Sequence, residues 1–85
     1  MFYFVYLLRS ISHPDKTYVG YTSNIEKRLE QHNQGSSEYS SRYSPWEIET
    51  HVGFRNKEKA EAFEVYLKQG SGYAFAKKHF LGSDR

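Results

Sequence analysis

Cysteine is absent from this 85-residue chain. Disulfides and thiolate metal sites are therefore excluded, and the composition suits a reducing, cytoplasmic setting. Long apolar runs are missing as well. The longest, Phe2 to Leu8, is far too short to cross a bilayer, and no basic stretch precedes it as in a signal peptide. No membrane partner is expected. Charge of one sign is also scarce: 12 basic against 10 acidic side chains leave a net +2, which by itself does not demand a polyanionic partner.

Aromatic residues, in contrast, are abundant. They make up 18% of the chain, within a hydrophobic content of 38%, so one compact domain over residues 1–85 is expected, with an adequate but small core. The charge is also uneven. From Val65 to Arg85 the cations Lys68, Lys77, Lys78 and Arg85 face Asp84 alone. Such a basic end suits a phosphate backbone, and it equally suits a solvated helix.

"FYFVYLLR" is apolar on both alternating sets, as a central strand covered on both faces would be. "SISHPDK" supplies a turn, and "TYVG" a short return strand closed by Gly20, so an antiparallel hairpin is expected. Ser23, with Glu26 three residues on, reads as a capping box for a helix over "NIEKRLEQHN" that stops at Gly35. A polar loop with Tyr39, Arg42 and Tyr43 follows. Its composition fits backbone contacts and base stacking on nucleic acid. "WEIETHVGF" alternates, with Trp46, Ile48, Thr50, Val52 and Phe54 on one face. Asn56 can cap a second helix ending at Gly70, and a third fits between Ser71 and Gly82. The expected order is β-β-α-β-α-α, an α/β (α+β) sandwich with a three-stranded antiparallel sheet.

Several residues break these patterns. Arg28 and His32 lie one turn apart on the first helix, bordering its buried stripe, and two cationic or cationisable groups aimed at one place imply an anion there. Glu64 lies inside the apolar stripe of Ala60, Phe63 and Leu67, whereas Glu58 and Glu61 read as solvated. A carboxylate there needs a cation or good hydrogen bonds. It either pairs with Arg28 or reaches a cleft and binds a metal. Tyr6 and Tyr18 keep hydroxyls where phenylalanine is tolerated, and the hairpin brings their strands together.

"FVY", "YVG", "RLEQH", the Glu-x-x-Leu-Lys of residues 64–68 and "GSG" occur in order between Phe4 and Lys78. Together they resemble the GIY-YIG nuclease family in its small stand-alone bacterial form. The resemblance implies a small sandwich that hydrolyses DNA phosphodiesters with one divalent ion, Mg2+ or Mn2+. It further implies Tyr6, Tyr18, Arg28, His32 and Glu64 as the catalytic set, with Glu64 on the metal and Gly20 letting the backbone pass tightly beside the site. Tyr6 would be the base, with Tyr18 and His32 orienting or relaying the proton. Phe4 and Val5 replace the Gly and Ile of the family name. The asparagine that many members carry after the glutamate is missing, leaving that role empty or passing it to Gln69. Arg42, Tyr43, Lys68, Lys77 and Lys78 are the expected DNA contacts.

Two functions remain open at this point: a DNA endonuclease or a nuclease module recruited to DNA by a protein partner, acting in repair or processing, and a non-cutting nucleic-acid-binding module of the same fold. A pure binder has little use for Glu64, which would repel phosphate. If the catalytic set is real, its five side chains should line one concave patch.

Overall fold

The computed structural model describes residues 1–35 and 37–81. Strands β1 (Tyr3–Ser10), β2 (Thr17–Thr22) and β3 (Trp46–Phe54) form one antiparallel sheet in the order β2-β1-β3. The doubly apolar strand is the central one, as expected. Val5 and Leu7 point into a cluster with Ala60, Leu67, Ala76 and Leu81, while Tyr6 and Leu8 point the other way, towards Trp46. Helix α1 (Ile25–Asn33) covers the Tyr6 face. Helices α3 (Lys57–Leu67) and α4 (Gly70–Ala76), continued by a π-helical turn (Lys77–Leu81), cover the Val5 face.

The expected order holds with one addition. Within the polar loop, residues Glu38–Arg42 form a short helix, α2, capped by the Ser37 side chain on the Ser40 amide. The α1 cap also differs from expectation: Asn24, not Ser23, accepts from the Lys27 amide. An Asx side chain one residue nearer the helix meets the same orphan donors. Gly35 follows α1 at φ 77, the left-handed conformation that favours glycine. Asn56 caps α3 through the Lys59 amide, as expected.

Strand β3 does not keep its alternation on one face. Leu7 pairs with Thr50 but Leu8 pairs with Ile48, so an extra residue, Glu49, bulges from the ladder. A bulge reverses the parity of the strand on either side of it. Trp46 and Ile48 therefore pack on the Tyr6 face, and Phe54 packs on the Val5 face. Gly82, placed above at the end of the last helix, and Asp84 and Arg85 of the basic end lie outside the described residues. No helix among the described residues is long and apolar enough to cross a membrane.

Arg9 fastens the C-terminal turn to the sheet. It is buried at the end of β1, where Nε donates to Glu49 Oε1 at 3.1 Å, Nη1 to the Pro14 carbonyl at 2.6 Å, and Nη2 to the Leu81 carbonyl. Only a guanidinium fork reaches three such acceptors at once. Arg9→Ala is expected to cost about 3 kcal/mol, with Arg9→Lys recovering only part of it. Denaturant unfolding reads both, and an Arg9→Ala midpoint equal to wild type would contradict this role.

Candidate active site

Tyr6 on β1 lies directly opposite Gly20 on the edge strand β2. A Cβ added to Gly20 would stand 2.5 Å from the Tyr6 hydroxyl and 2.8 Å from its ring carbon Cζ. The phenol therefore lies across the edge strand over this glycine, and any side chain there would displace it. Tyr18, two residues along the same face of β2, stacks on Tyr6 with ring centroids 6.3 Å apart. The two tyrosines of the hairpin do converge.

Helix α1 brings His32 against both rings. Its Nε2 is 3.2 Å from the Tyr6 hydroxyl, and its ring centroid is 4.5 Å from that of Tyr18. The other ring nitrogen, Nδ1, lies 3.0 Å from Ser40 Oγ, which in turn lies 2.9 Å from Ser37 Oγ. The Arg28 guanidinium acts on the same phenol and favours its ionised form. Which of Tyr6 and His32 donates across their 3.2 Å contact depends on the tautomer of the ring. In the Nδ1–H tautomer, Nε2 accepts from the phenol and Nδ1 donates to Ser40 Oγ. Burial, with the Arg28 charge beside it, lowers the His32 pKa from the ordinary 6.5 and keeps the ring neutral at pH 7. Burial raises the Tyr6 pKa above 10.0, with smaller contributions from Tyr18 and Glu64, although the hydrogen bond and charge of Arg28 pull it down. Tyr6 therefore rests as a phenol.

Glu64 corrects the expectation of a single-faced patch. Its helix packs on the opposite face of the sheet, against β1 and β2. Even so, the Glu64 charge acts on the Tyr6 phenol. The set is thus gathered around the β2 edge from both faces. Tyr21 helps to hold α3 there by donating to Glu61 Oε2 at 2.5 Å, so Glu61 is a tether rather than a solvated residue. Glu64 itself is largely buried, and its ion-pair partner is not Arg28 but Lys68, one turn on, at 2.5 Å. Among the described residues no group of three or more His, Asp or Glu converges as a preformed cation cage. One largely buried carboxylate held by a flexible ammonium fits Mg2+ or Mn2+, which take most of their shell from water and phosphate oxygens. It does not fit zinc.

The other expected contacts scatter. Lys68 stands at the site. Arg42 is exposed on α2 and pairs with Glu38 at 3.3 Å. The Tyr43 ring packs on His13 and under the Lys16 ammonium, and its carbonyl accepts from Ser10, so it braces the hairpin loop. Lys77 and Lys78 belong to the π-helical turn, which packs on α4 and β3 away from the β2 edge. Sequence reasoning missed Ser40, whose carbonyl also accepts from Trp46 Nε1 at 3.0 Å. One serine among six polar neighbours carries no distinguishing signal.

A family model described as the GIY-YIG catalytic domain matches residues 2–78. The chain is 44% identical over 77 residues to the "structure-specific endonuclease subunit SLX1 homolog" of Drosophila mojavensis, covering 80% of this chain and 25% of that protein. It is 33% identical over 67 residues to a UPF0213 protein of Clostridium perfringens, covering 78% of this chain and 70% of that one. The solution structure of a UPF0213 protein from Bacillus halodurans superposes with a TM-score of 0.52 at 26% identity, covering 88% of this chain and 79% of that chain. The chain thus spans about a quarter of the insect relative and most of the small bacterial ones.

The neutral, buried His32 has a consequence for stability. As pH falls through the ordinary 6.5, the unfolded chain takes up the imidazole proton while the folded chain resists it. Stability is therefore lost below that pH, until the lowered folded value is reached. Wild type should lose more stability than His32→Gln between about pH 7.5 and 5.5. Denaturant titrations at the two pH values measure this, and equal losses would contradict a buried neutral ring.

Proposed function

The chain belongs to the GIY-YIG family, and from that membership we propose that residues 1–85 form one nuclease unit, a cytoplasmic endonuclease hydrolysing DNA phosphodiesters in repair or processing. The observation that carries this reading is the Tyr6 phenol over Gly20, bonded to His32 and under the charges of Arg28 and Glu64.

Each residue has work to do in such a reaction. Arg28 donates to the oxygens of the scissile phosphate and holds it beside the phenol. The attacking water's oxygen bonds to phosphorus as the bond to the leaving oxygen breaks, and the leaving oxygen takes a proton from solvent. Tyr6 accepts the water's proton at its phenol oxygen while passing its own to His32 Nε2. Ser40 keeps His32 in the tautomer able to accept it. Tyr18 packs on both rings and fixes their separation. Glu64 would hold the divalent ion, Mg2+ or Mn2+, which when bound supplies positive charge for the developing anion and a water of lowered pKa. Lys68 then releases Glu64 and becomes a contact to DNA beside the cleaved phosphate, with Arg42 and Tyr43 as further contacts, while Lys77 and Lys78, away from the β2 edge, would reach only a more distant stretch of the same DNA.

The Lys68–Glu64 pair also favours a second reading. With its carboxylate neutralised, Glu64 no longer repels phosphate, and a non-cutting DNA-binding module becomes workable. The insect relative is named a subunit of a structure-specific endonuclease. By analogy we propose branched or single-stranded DNA as substrate, and a protein partner that delivers the domain to it.

Glu64→Gln separates the readings. It keeps shape and hydrogen bonding but removes the charge. Assayed on single-stranded, duplex and branched DNA, wild type should cut with Mg2+ or Mn2+ and stop with chelator. The variant should bind but not cut, with stability close to wild type, because the glutamine keeps the buried shape and hydrogen bonding while the half-exposed Lys68 ammonium can turn to solvent. Cleavage by the variant at the wild-type rate would refute the role of Glu64.

A further inference from the structure

Beside the site, at the Thr17 end of the β2 edge, lies a groove of about 360 Å³ that the reaction above does not use. Tyr18 and Val19 line it from β2, Leu67 and Lys68 from the end of α3, Tyr39 from α2 and Tyr73 from α4. Its size falls at the small end of ligand sites, about 300–1,000 Å³. Two of its three tyrosines are open to solvent, Tyr39 at 40% and Tyr73 at 54%. Tyr39 is nevertheless held in place, donating from its hydroxyl to the Thr17 carbonyl at 2.8 Å and tilted against the Tyr18 ring with centroids 6.5 Å apart.

We propose that this groove receives one unpaired nucleobase of the DNA strand whose phosphate Arg28 and Tyr6 hold, a reading that rests on the nuclease function above. Three features point to a base. The two exposed tyrosines offer aromatic ring surface, on which a base stacks without regard to sequence. A single cation, Lys68, stands at the rim, where a backbone phosphate would follow the base. The groove is also continuous with the site: Tyr18 stacks on Tyr6 and lines the groove, and Lys68 lines the groove while touching Glu64. A paired base keeps its faces stacked inside the duplex and cannot enter. The substrate class is therefore a single strand, a flap or a junction with an unpaired nucleotide beside the cleaved phosphate, not continuous duplex. An apolar peptide segment is the competing occupant. It would use the same rings but would not require a base.

The test measures binding in chelator with the wild-type protein. The probe is a short fluorescein-labelled oligothymidylate and a set of copies, each with one base removed to leave an abasic sugar. One position should stand out, its abasic copy binding about tenfold more weakly, a loss set by base stacking. Tyr39→Ala and Tyr73→Ala should weaken the intact strand by a similar factor, leave duplex binding unchanged, and make that abasic position silent. Abasic copies that all bind like the intact strand overturn the proposal, even if a tyrosine variant fails to fold, because the substitution is then on the DNA alone. Tyrosine variants that weaken duplex equally also overturn it. If wild type cuts DNA with no abasic effect, the groove proposal falls and the nuclease reading stands. If the abasic effect appears without cleavage in Mg2+ or Mn2+, the reverse holds.

Discussion

A phenol laid across a glycine governs this site. The Tyr6 ring is buried, starts on the central strand and ends over the edge strand, and the only backbone that lets it pass is one without a Cβ. That single approach puts a hydroxyl at the rim of the sheet, where helices from both faces can reach it. His32 and Arg28 arrive from α1 and Glu64 from α3. Had Tyr6 pointed into a layer interior, no arrangement of α3 could have brought its carboxylate near.

The electrostatics follow from the same placement. Burial alone makes Tyr6 a poorer acid and His32 a poorer base, and Arg28 opposes the first shift while reinforcing the second. At rest the proton therefore stays on the phenol, and the ring beside it is neutral, with Nε2 within hydrogen-bonding reach. Ser40 completes the arrangement from α2, which Trp46 and the Ser37 cap hold down. Lys68 plays a comparable part for Glu64, balancing a carboxylate that would otherwise be buried alone.

Much of this was legible in the sequence. The two apolar sets of "FYFVYLLR" require a covered strand, the hairpin punctuation brings Tyr6 and Tyr18 together, and the helical spacing of Arg28 and His32 points both at one place. Glu64 inside an apolar stripe was the strongest single signal. What escaped depends on contacts distant in sequence. The extra residue at Glu49 splits the apolar set of β3 between two faces, and strict alternation cannot reveal it. Helix α2 arises where propensity is weak and tertiary contacts with Trp46 decide. The preference of Glu64 for Lys68 over Arg28 reflects Arg28 sitting across the sheet at the phenol. The cap at Asn24 instead of Ser23 is a one-residue choice between side chains that can both accept from the first-turn amides.

The most direct measurement is metal-dependent cleavage of DNA by Tyr6→Phe. Phenylalanine keeps the ring, its stack on Tyr18 and its passage over Gly20, and removes only the oxygen on which Arg28 acts and which lies 3.2 Å from His32 Nε2. With the fold intact by melting and by DNA binding, the account predicts a fall in cleavage rate of about a hundredfold or more, the range of general-base catalysis. A Tyr6→Phe protein that cuts DNA as fast as wild type would contradict it.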